Sequence, residues 1–372
     1  MTALGSRLGR RRVVVCVGAG GVGKTTVAAA IGLQRALEGG RVLVCTIDPA
    51  RRLANALGLA ALGNVETRVP GHAFTEAGLA PRGELHAMML DVKRTWDELI
   101  GRHAHDPAQR DRILKNRLYR QMSAALAGSQ EYMATEKLYE LATERDYDLV
   151  VLDTPPTAHA LDFLDAPDRI LDFLGDETTR ALLAPALGAG RIGFRLAQLG
   201  GGYIAKTLAK FTGAEALADL GDFLRSFHGM YEGFKDRAEA VRTLLSHEDS
   251  GFVIVSSPAA AAIDEALAFH ERLHAEAIPI AGVVVNRVTP SLWDDARPLP
   301  DDAALAASLP APDRALAGRL AATLAEHQRL ASADREAIGR ITGPIAAPHA
   351  VVPRIEEDVN DLGGLARIAA HL

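Results

Sequence analysis

The stretch Val13-Val14-Val15-Cys16-Val17-Gly18-Ala19-Gly20-Gly21-Val22-Gly23-Lys24-Thr25-Thr26 decides the fold. Its first five residues are apolar and four are β-branched, which reads as a strand buried on both faces. Gly18 through Thr25 then satisfy G-x-x-x-x-G-K-[ST], and residues 25–38 carry helical apolar spacing. Glycines let successive backbone N–H groups turn inward on a phosphate, and the helix N-terminus adds its dipole. In such a loop Lys24 reaches the β- and γ-phosphates of a nucleotide, and Thr25 ligates Mg²⁺. The same residues satisfy G-x-G-x-x-G through Gly18, Gly20 and Gly23, with Asp48 ending the next strand as a dinucleotide site requires. Lys24-Thr25-Thr26 decides between the two, because a dinucleotide site has no use for a lysine and hydroxyls there. A second G-x-G-x-x-G, from Gly188 to Gly193, follows no β-rich run and reads as loop.

Working outward, other short apolar runs at residues 42–47, 149–152, 252–255 and 280–285 lack polar alternation, as buried parallel strands should. Residues 85–90 and 350–352 are further candidate strands. Helical patterns at 132–144 and 263–275 lie among them. The alternation predicts an α/β fold, a mainly parallel sheet with helices on both faces. The intervals from Asp48 to Asp153 and from Asp153 to Phe252 are too long for simple crossovers. Many of their apolar positions, such as Leu217, Leu220, Phe223, Leu224 and Phe227, follow helical spacing. The reading is one domain over residues 1–372, with largely helical insertions at 54–146 and 160–250 forming a subdomain at the carboxyl edge of the sheet. Residues 186–202, rich in glycine, read as a mobile segment and 298–312 as a loop.

Composition narrows the function. With 41 basic and 47 acidic residues the net charge is −6, which argues against nucleic acid as a partner. Two cysteines exclude a disulfide framework and are too few for Cys-only zinc sites. Only seven of the basic residues are lysines, so a lysine in a phosphate loop stands out from the generic positive charge. The basic start is followed by only five apolar residues before Gly18, short of the ~7–15 of a secretory leader. No run approaches the ~18 apolar residues of a membrane span. The expectation is a cytoplasmic protein, with peripheral association at the inner membrane left open.

Two carboxylates end strands near the phosphate loop: Asp48 in Thr46-Ile47-Asp48-Pro49-Ala50, and Asp153 in Leu152-Asp153-Thr154-Pro155-Pro156-Thr157-Ala158-His159. A carboxylate so placed can orient a water or hold Mg²⁺ through water. An isolated Asp there more often caps a turn, but two on one sheet edge favour chemistry.

Gly-Gly-Val-Gly-Lys-Thr-Thr at 20–26, Asp-Pro-Ala at 48–50 and Asp-Thr-Pro-Pro-Thr-x-His at 153–159 together resemble the ArsA and guided-entry (tail-anchored protein targeting) ATPases. These belong to the deviant Walker-A class that includes ParA and MinD. The likeness covers nearly the whole chain and is nearest to actinobacterial-type members found as pairs of non-identical subunits. It implies a SIMIBI-like P-loop NTPase that binds ATP and Mg²⁺ and acts as a homodimer or with a paralogous subunit. A membrane-protein client is a further implied partner. The resemblance makes Asp48 the residue that positions the attacking water in switch I, and Asp153 the switch II carboxylate sensing Mg²⁺ and γ-phosphate. Asn286 would contact adenine, and Val352-Pro353-Arg354 would close over the base. Gly20, Gly21, Val22, Gly23, Lys24, Thr25 and Thr26 would cradle the phosphates, with Lys24 also catalytic.

Three departures qualify this picture. Ala19 stands where the class carries a signature lysine that crosses a dimer interface. Its loss suggests weak activity as a homodimer, a partner that supplies the lysine, or a substitute in Arg51 or Arg52. The acidic residue often found near the base is replaced by Ala259 after Pro258. Cys16 and Cys45 sit inside predicted strands, with no C-x-x-C, so neither the zinc site of eukaryotic relatives nor arsenite-binding thiols are expected. His159 could relay nucleotide state or steady a turn. His270 and His274 share a helix face but lack a third ligand. The apolar series Leu161, Phe163, Leu164, Ile170, Leu171, Phe173 and Leu174 reads as helical core rather than a client groove, since no Met-rich stripe accompanies it. Three functions remain: an ATPase serving a client subdomain, a weakly active regulatory subunit, and a ParA/MinD-like positioning ATPase. The long insertions speak against the last.

Overall fold

The computed structural model describes residues 3–48, 52–116, 119–120, 129–154, 165, 231–293 and 297–372. Eight strands form one sheet: β1 (Val13–Val17), β2 (Arg41–Thr46), β3 (Thr67–Arg68), β4 (Glu84–Met89), β5 (Leu149–Asp153), β6 (Ser250–Ser256), β7 (Ile280–Val288) and β8 (His349–Pro353). Their order is β3-β4-β2-β5-β1-β6-β7-β8, and every pairing is parallel except β3 with β4. The α/β architecture expected from the alternating runs is therefore the one observed. Because all the strands around β1 run the same way, their carboxyl ends share one edge. Register aligns Cys16 and Thr46 with Asp153 there, beside the start of the phosphate loop.

The strands carry no polar alternation because both faces are covered. Val13, Val15, Leu43, Cys45, Val150, Leu152, Phe252 and Ile254 face one core, with Trp96, Tyr132, Leu141 and Phe234 from the helices Val92–His103, Ser129–Glu144 and Tyr231–Ser246. Val14, Cys16, Val42, Val44, Val151 and Val253 face the other, against the alanine-rich helix Lys24–Leu37 and the helix Leu362–Ala369. Burying these side chains stabilises by ~25 cal/mol per Å² of apolar surface, which makes the edge a rigid platform for loops.

The helices on the first face are joined by ionised groups as well as by apolar contact. Arg237 Nε donates to Glu136 Oε2 at 2.8 Å, and Lys137 Nζ lies 3.6 Å from Glu98 Oε2. Arg102 lies 2.6 Å from Glu140 Oε2. Burial pushes the Glu136 carboxyl above its ordinary range even though Arg237 opposes the shift.

Three local expectations change. Strand β2 stops at Thr46 rather than at residue 47, and the two-residue edge strand β3 has no apolar run to announce it. Residues 298–312, read as loop, contain the helix Asp302–Ser308 and the start of a 3-10 turn at Ala311–Leu316. Asp301 caps that helix by accepting from the Ala304 N–H at 2.8 Å, and the alanines that follow favour helix. Residues 186–202, the apolar series between 161 and 174, and the run between 217 and 227 lie outside the described residues.

Candidate functional site

The loop after β1 turns on glycine. Gly18 has φ 145°, and a Cβ there would lie 1.9 Å from the Val255 carbonyl oxygen of β6. Gly23 has φ 95° and, as the N-cap of the helix Lys24–Leu37, has no side chain with which to cap it. The first helical N–H groups are thus left to meet an anion. Val22 is buried in the second core and anchors the loop, Gly20 lies exposed at its tip, and Gly21 lines the cavity.

That cavity, about 530 Å³, lies along the carboxyl edge of the sheet. Lys24, Thr25, Thr26, Asp48, Asn286 and Pro353 line it, so most of the residues singled out in the sequence meet in one place. Lys24 is buried and its ammonium donates to the carbonyls of Gly18 at 2.7 Å and Ala19 at 2.9 Å. Burial lowers its pKa, against the pull of Asp153. Ala19 is itself buried, and its methyl group brings no charge to the loop.

Asp153 is fully buried and collects two hydroxyl donors on one oxygen: Thr25 Oγ1 at 2.7 Å and Thr46 Oγ1 at 2.8 Å from Oδ2. Its other oxygen, Oδ1, is buried without a partner among the described residues. Burial raises its pKa to about 6 although both threonines and Lys24 favour the charged form. A buried carboxylate with an unpartnered oxygen beside a threonine hydroxyl is hard-oxygen chemistry, suited to Mg²⁺ directly or through water. The Thr46 hydroxyl also accepts from the Asp48 N–H at 3.2 Å, tying the two acidic segments together. Thr154 Oγ1 donates to the Cys16 carbonyl at 2.7 Å and pins the end of β5 to β1.

At the other end of the cavity, Asn286 Nδ2 donates to the Val22 carbonyl at 2.8 Å and Oδ1 accepts from the Arg287 N–H at 2.9 Å. Its amide thus braces the phosphate loop while one edge lines the cavity. Pro353, Ile355 and Val359 add apolar wall, and Glu357, Asp358 and Asn360 add polar rim. Arg52 lines the cavity, is exposed, and has no hydrogen-bond or ion-pair partner among the described residues. Arg51, His159 and residues 49–50 lie outside the described residues.

Sequence reasoning missed Thr46, Thr154, Arg287 and the segment 355–360. Thr46 was legible in principle, as a hydroxyl closing a buried apolar strand two residues before Asp48. The others depend on pairings distant in sequence. Cys16 and Cys45 are buried in the strands, and burial pushes both thiols up, Cys45 to about 12. The rings of His270 and His274 lie 6.2 Å apart. Among the described residues no group of three or more His, Cys, Asp or Glu is placed to hold a metal, and no helix is long and apolar enough to cross a membrane.

A parallel sheet with a glycine-rich loop before a helix, a lysine in that loop and a carboxylate at the adjacent strand end defines a P-loop nucleotide-binding protein of the α/β class. The particular family follows from comparison. The family model described as anion-transporting ATPase, ArsA_ATPase, matches residues 11–299, and the chain belongs to that family. Among curated relatives, ATPase GET3 of Malassezia globosa is 31% identical over 154 residues, 41% of this chain and 42% of that protein. ATPase GET3C of Arabidopsis thaliana is 25% identical over 296 residues, 77% of this chain and 70% of that protein. An ATPase ASNA1 homolog of Babesia bovis is 32% identical over 163 residues, 42% of this chain and 40% of that protein. Apart from the Arabidopsis protein, the match spans less than half the length of these relatives.

Proposed function

We propose that this chain is a Mg²⁺-dependent ATPase whose nucleotide state is passed to helices beside the switch segments. The observation that carries the reading is the convergence of Thr25 and Thr46 on Asp153, whose buried Oδ1 has no partner among the described residues, with Thr25 and Lys24 lining the adjoining cavity. Mg²⁺, held by Thr25 and through water by Asp48 and Asp153, would neutralise the β- and γ-phosphate oxygens. Lys24 exchanges its two carbonyl partners for phosphate oxygens. Asp48, at the cavity wall, positions the attacking water. Asn286 and Pro353 serve the base end, where Asn286 must release Val22 or use its remaining edge to meet adenine. Catalysis then rests on positioning and charge stabilisation, without a covalent intermediate.

The path to the helices is short. Gln130 Nε2, at the start of the helix Ser129–Glu144, donates to the Ile47 carbonyl at 3.2 Å, one residue before Asp48. A change at Asp48 therefore reaches the ion-paired helices directly. We read these helices, with residues 54–146 and 160–250, as the part that meets a client or a partner subunit, in a homodimer or a pair with a paralogue. Handling of a membrane-protein client at the inner membrane fits the resemblance to the guided-entry ATPases.

A second reading, a regulatory subunit with little turnover of its own, is favoured by Ala19, since the loop lacks a second lysine. Arg52 in the same cavity offers an internal substitute. The deciding experiment measures ATP hydrolysis by the protein alone, by the protein with its paralogue, and by Lys24→Ala. Turnover alone that vanishes in Lys24→Ala supports the first reading. Turnover only with the paralogue supports the second, and turnover indifferent to Lys24→Ala refutes the site.

A further inference from the structure

We propose that Arg287 is a base-stacking residue of this site, laying its guanidinium on the face of the nucleotide base beside the apolar wall of Pro353 and Ile355. The inference rests on the nucleotide-site reading above and assigns a role to a residue that neither motif nor spacing singled out.

Among the described residues, Ala277 and Arg287 are the two non-glycine residues with positive φ, 55° and 60°. Ala277 has an ordinary cause. It follows the helix Ala260–Ala275, its N–H donates to the His274 carbonyl at 3.1 Å, and the Ile278 N–H donates to the Leu273 carbonyl at 2.9 Å. That is a left-handed helix end. Arg287 instead lies inside a strand. The register between β7 and β8 shifts between Val285 and Val288, so Asn286 and Arg287 form a bulge. In a regular strand successive side chains point to opposite faces, yet Asn286 and Arg287 both line the same cavity. The bulge and the left-handed backbone turn Arg287 toward it. Such a conformation costs of order 1 kcal/mol for a residue with a Cβ, and glycine would avoid that cost. No packing offsets it, because Arg287 is exposed and its guanidinium has no hydrogen-bond or ion-pair partner among the described residues.

Position decides which part of a nucleotide Arg287 meets. Asp153 ends β5 and Arg287 lies on β7, three strand steps away in the order β5-β1-β6-β7. At ~4.8 Å per step that is about 14 Å along the edge, which places Arg287 at the far end of the cavity from the cation end. There Val288 pairs with Pro353, and the Arg354 N–H donates to the Val288 carbonyl at 2.8 Å, which brings Pro353 and Ile355 alongside. A flat, weakly hydrated guanidinium next to an apolar wall suits the face of a planar ring. Stacking of this kind grips any base by its face and reads no exocyclic group.

The test is equilibrium binding of ATP, ADP and tripolyphosphate, in Mg²⁺ buffer, to the full chain and to Arg287→Gly and Arg287→Lys. Glycine suits φ 60°, so Arg287→Gly keeps the thermal midpoint or raises it, and folding does not confound the result. The expected outcome is a roughly two- to thirtyfold loss of affinity for ATP and ADP alike in Arg287→Gly. Tripolyphosphate, which has no base, binds unchanged, and Arg287→Lys recovers part of the loss. Unchanged ATP affinity in Arg287→Gly overturns the proposal, as does an equal loss for tripolyphosphate, which would make Arg287 a phosphate ligand. Should the unaltered protein bind neither ATP nor ADP, the nucleotide-site reading itself fails.

Discussion

Replacing Asp153 by asparagine tests the electrostatics on which the site depends. Asp153 is fully buried, and burial raises its carboxyl from 3.8 to about 6. An acid whose folded pKa lies above its unfolded value stabilises fully below the unfolded value. That stability is lost as pH rises through the folded value. A rise of that size corresponds to about 3 kcal/mol at most, so above pH 6 the Mg²⁺-free protein carries this much penalty for ionised Asp153. Asparagine keeps an oxygen for the Thr25 and Thr46 hydroxyls and removes the charge, but its amide N–H groups need an acceptor and cost about 1–3 kcal/mol if none is found. That cost does not depend on pH, so the informative quantity is the difference in thermal midpoint between the two proteins as pH changes. For a chain of 372 residues, 3 kcal/mol is about 4 °C. Scanning calorimetry without divalent cation should therefore find the unaltered protein losing about 3 °C relative to Asp153→Asn between pH 4, where the unfolded carboxyl is already partly ionised, and pH 7.5. Adding Mg²⁺ and ATP at pH 7.5 should raise the midpoint of the unaltered protein and leave the variant nearly unmoved. A difference constant with pH, or a variant that gains as much from Mg²⁺ and ATP, refutes the assignment of Asp153 as the buried carboxylate that awaits a cation.

Other residues give independent expectations. Arg52→Ala should lower kcat at least tenfold, on the scale of cations that stabilise phosphoryl transfer, while ADP affinity changes little; an unchanged kcat in steady-state assays removes Arg52 from the chemistry. Gly18→Ala forces a methyl group against the Val255 carbonyl in a backbone region hostile to side chains. It should destabilise by about 2–4 kcal/mol in denaturant titration, and a loss below about 1 kcal/mol would mean that the loop can shift. Arg237→Met strands the buried Glu136 without its cation and should cost about 3–5 kcal/mol. Adding Glu136→Gln to that variant should restore part of the loss, and no restoration would show that packing rather than charge is at stake.

The fold was legible because each central strand is built on an unbroken apolar run that gives way to glycine or a polar residue at or near the strand end. Val13–Val17 before glycine is the plainest case, and the parallel order follows from helices lying between such runs. β3 was not legible, since two residues paired antiparallel to β4 on an edge need no apolar signal. The helix Asp302–Ser308 was hidden by flanking prolines, although Asp301 before an alanine-rich run is a capping signal. The proposed phosphate loop was legible as a candidate for a physical reason. A loop that offers backbone N–H groups must be glycine-rich, and a lysine inside it has few other uses. The base end has no such signature. It is made by a bulge in β7, a proline ending β8 and the segment after it, brought together by pairings more than sixty residues apart in sequence.

The two ends of the cavity differ in how they are held, and that difference bears on function. The cation end is over-determined. Thr25, Thr46 and Asp153 are linked by hydrogen bonds across three separate segments, and Thr154 fixes β5 to β1. Asp153 Oδ1 has no partner among the described residues, so this end is a fixed frame around one acceptor that the protein leaves unmatched. The base end has a braced Asn286 and an exposed Arg287, and its walls come from residues 353–360 near the last helix. On the proposed reading, binding energy gathered there, away from the chemistry, would be spent on drawing Lys24 off the Gly18 and Ala19 carbonyls and on seating Asp48. Because Ile47, next to Asp48, is bonded to Gln130 on the ion-paired helices, the proposed seating of Asp48 would be felt by that helical layer. On the proposed reading, nucleotide occupancy and helix position would be two readouts of one equilibrium. Whatever binds the helices more tightly in the nucleotide-bound arrangement must raise nucleotide affinity by the same factor.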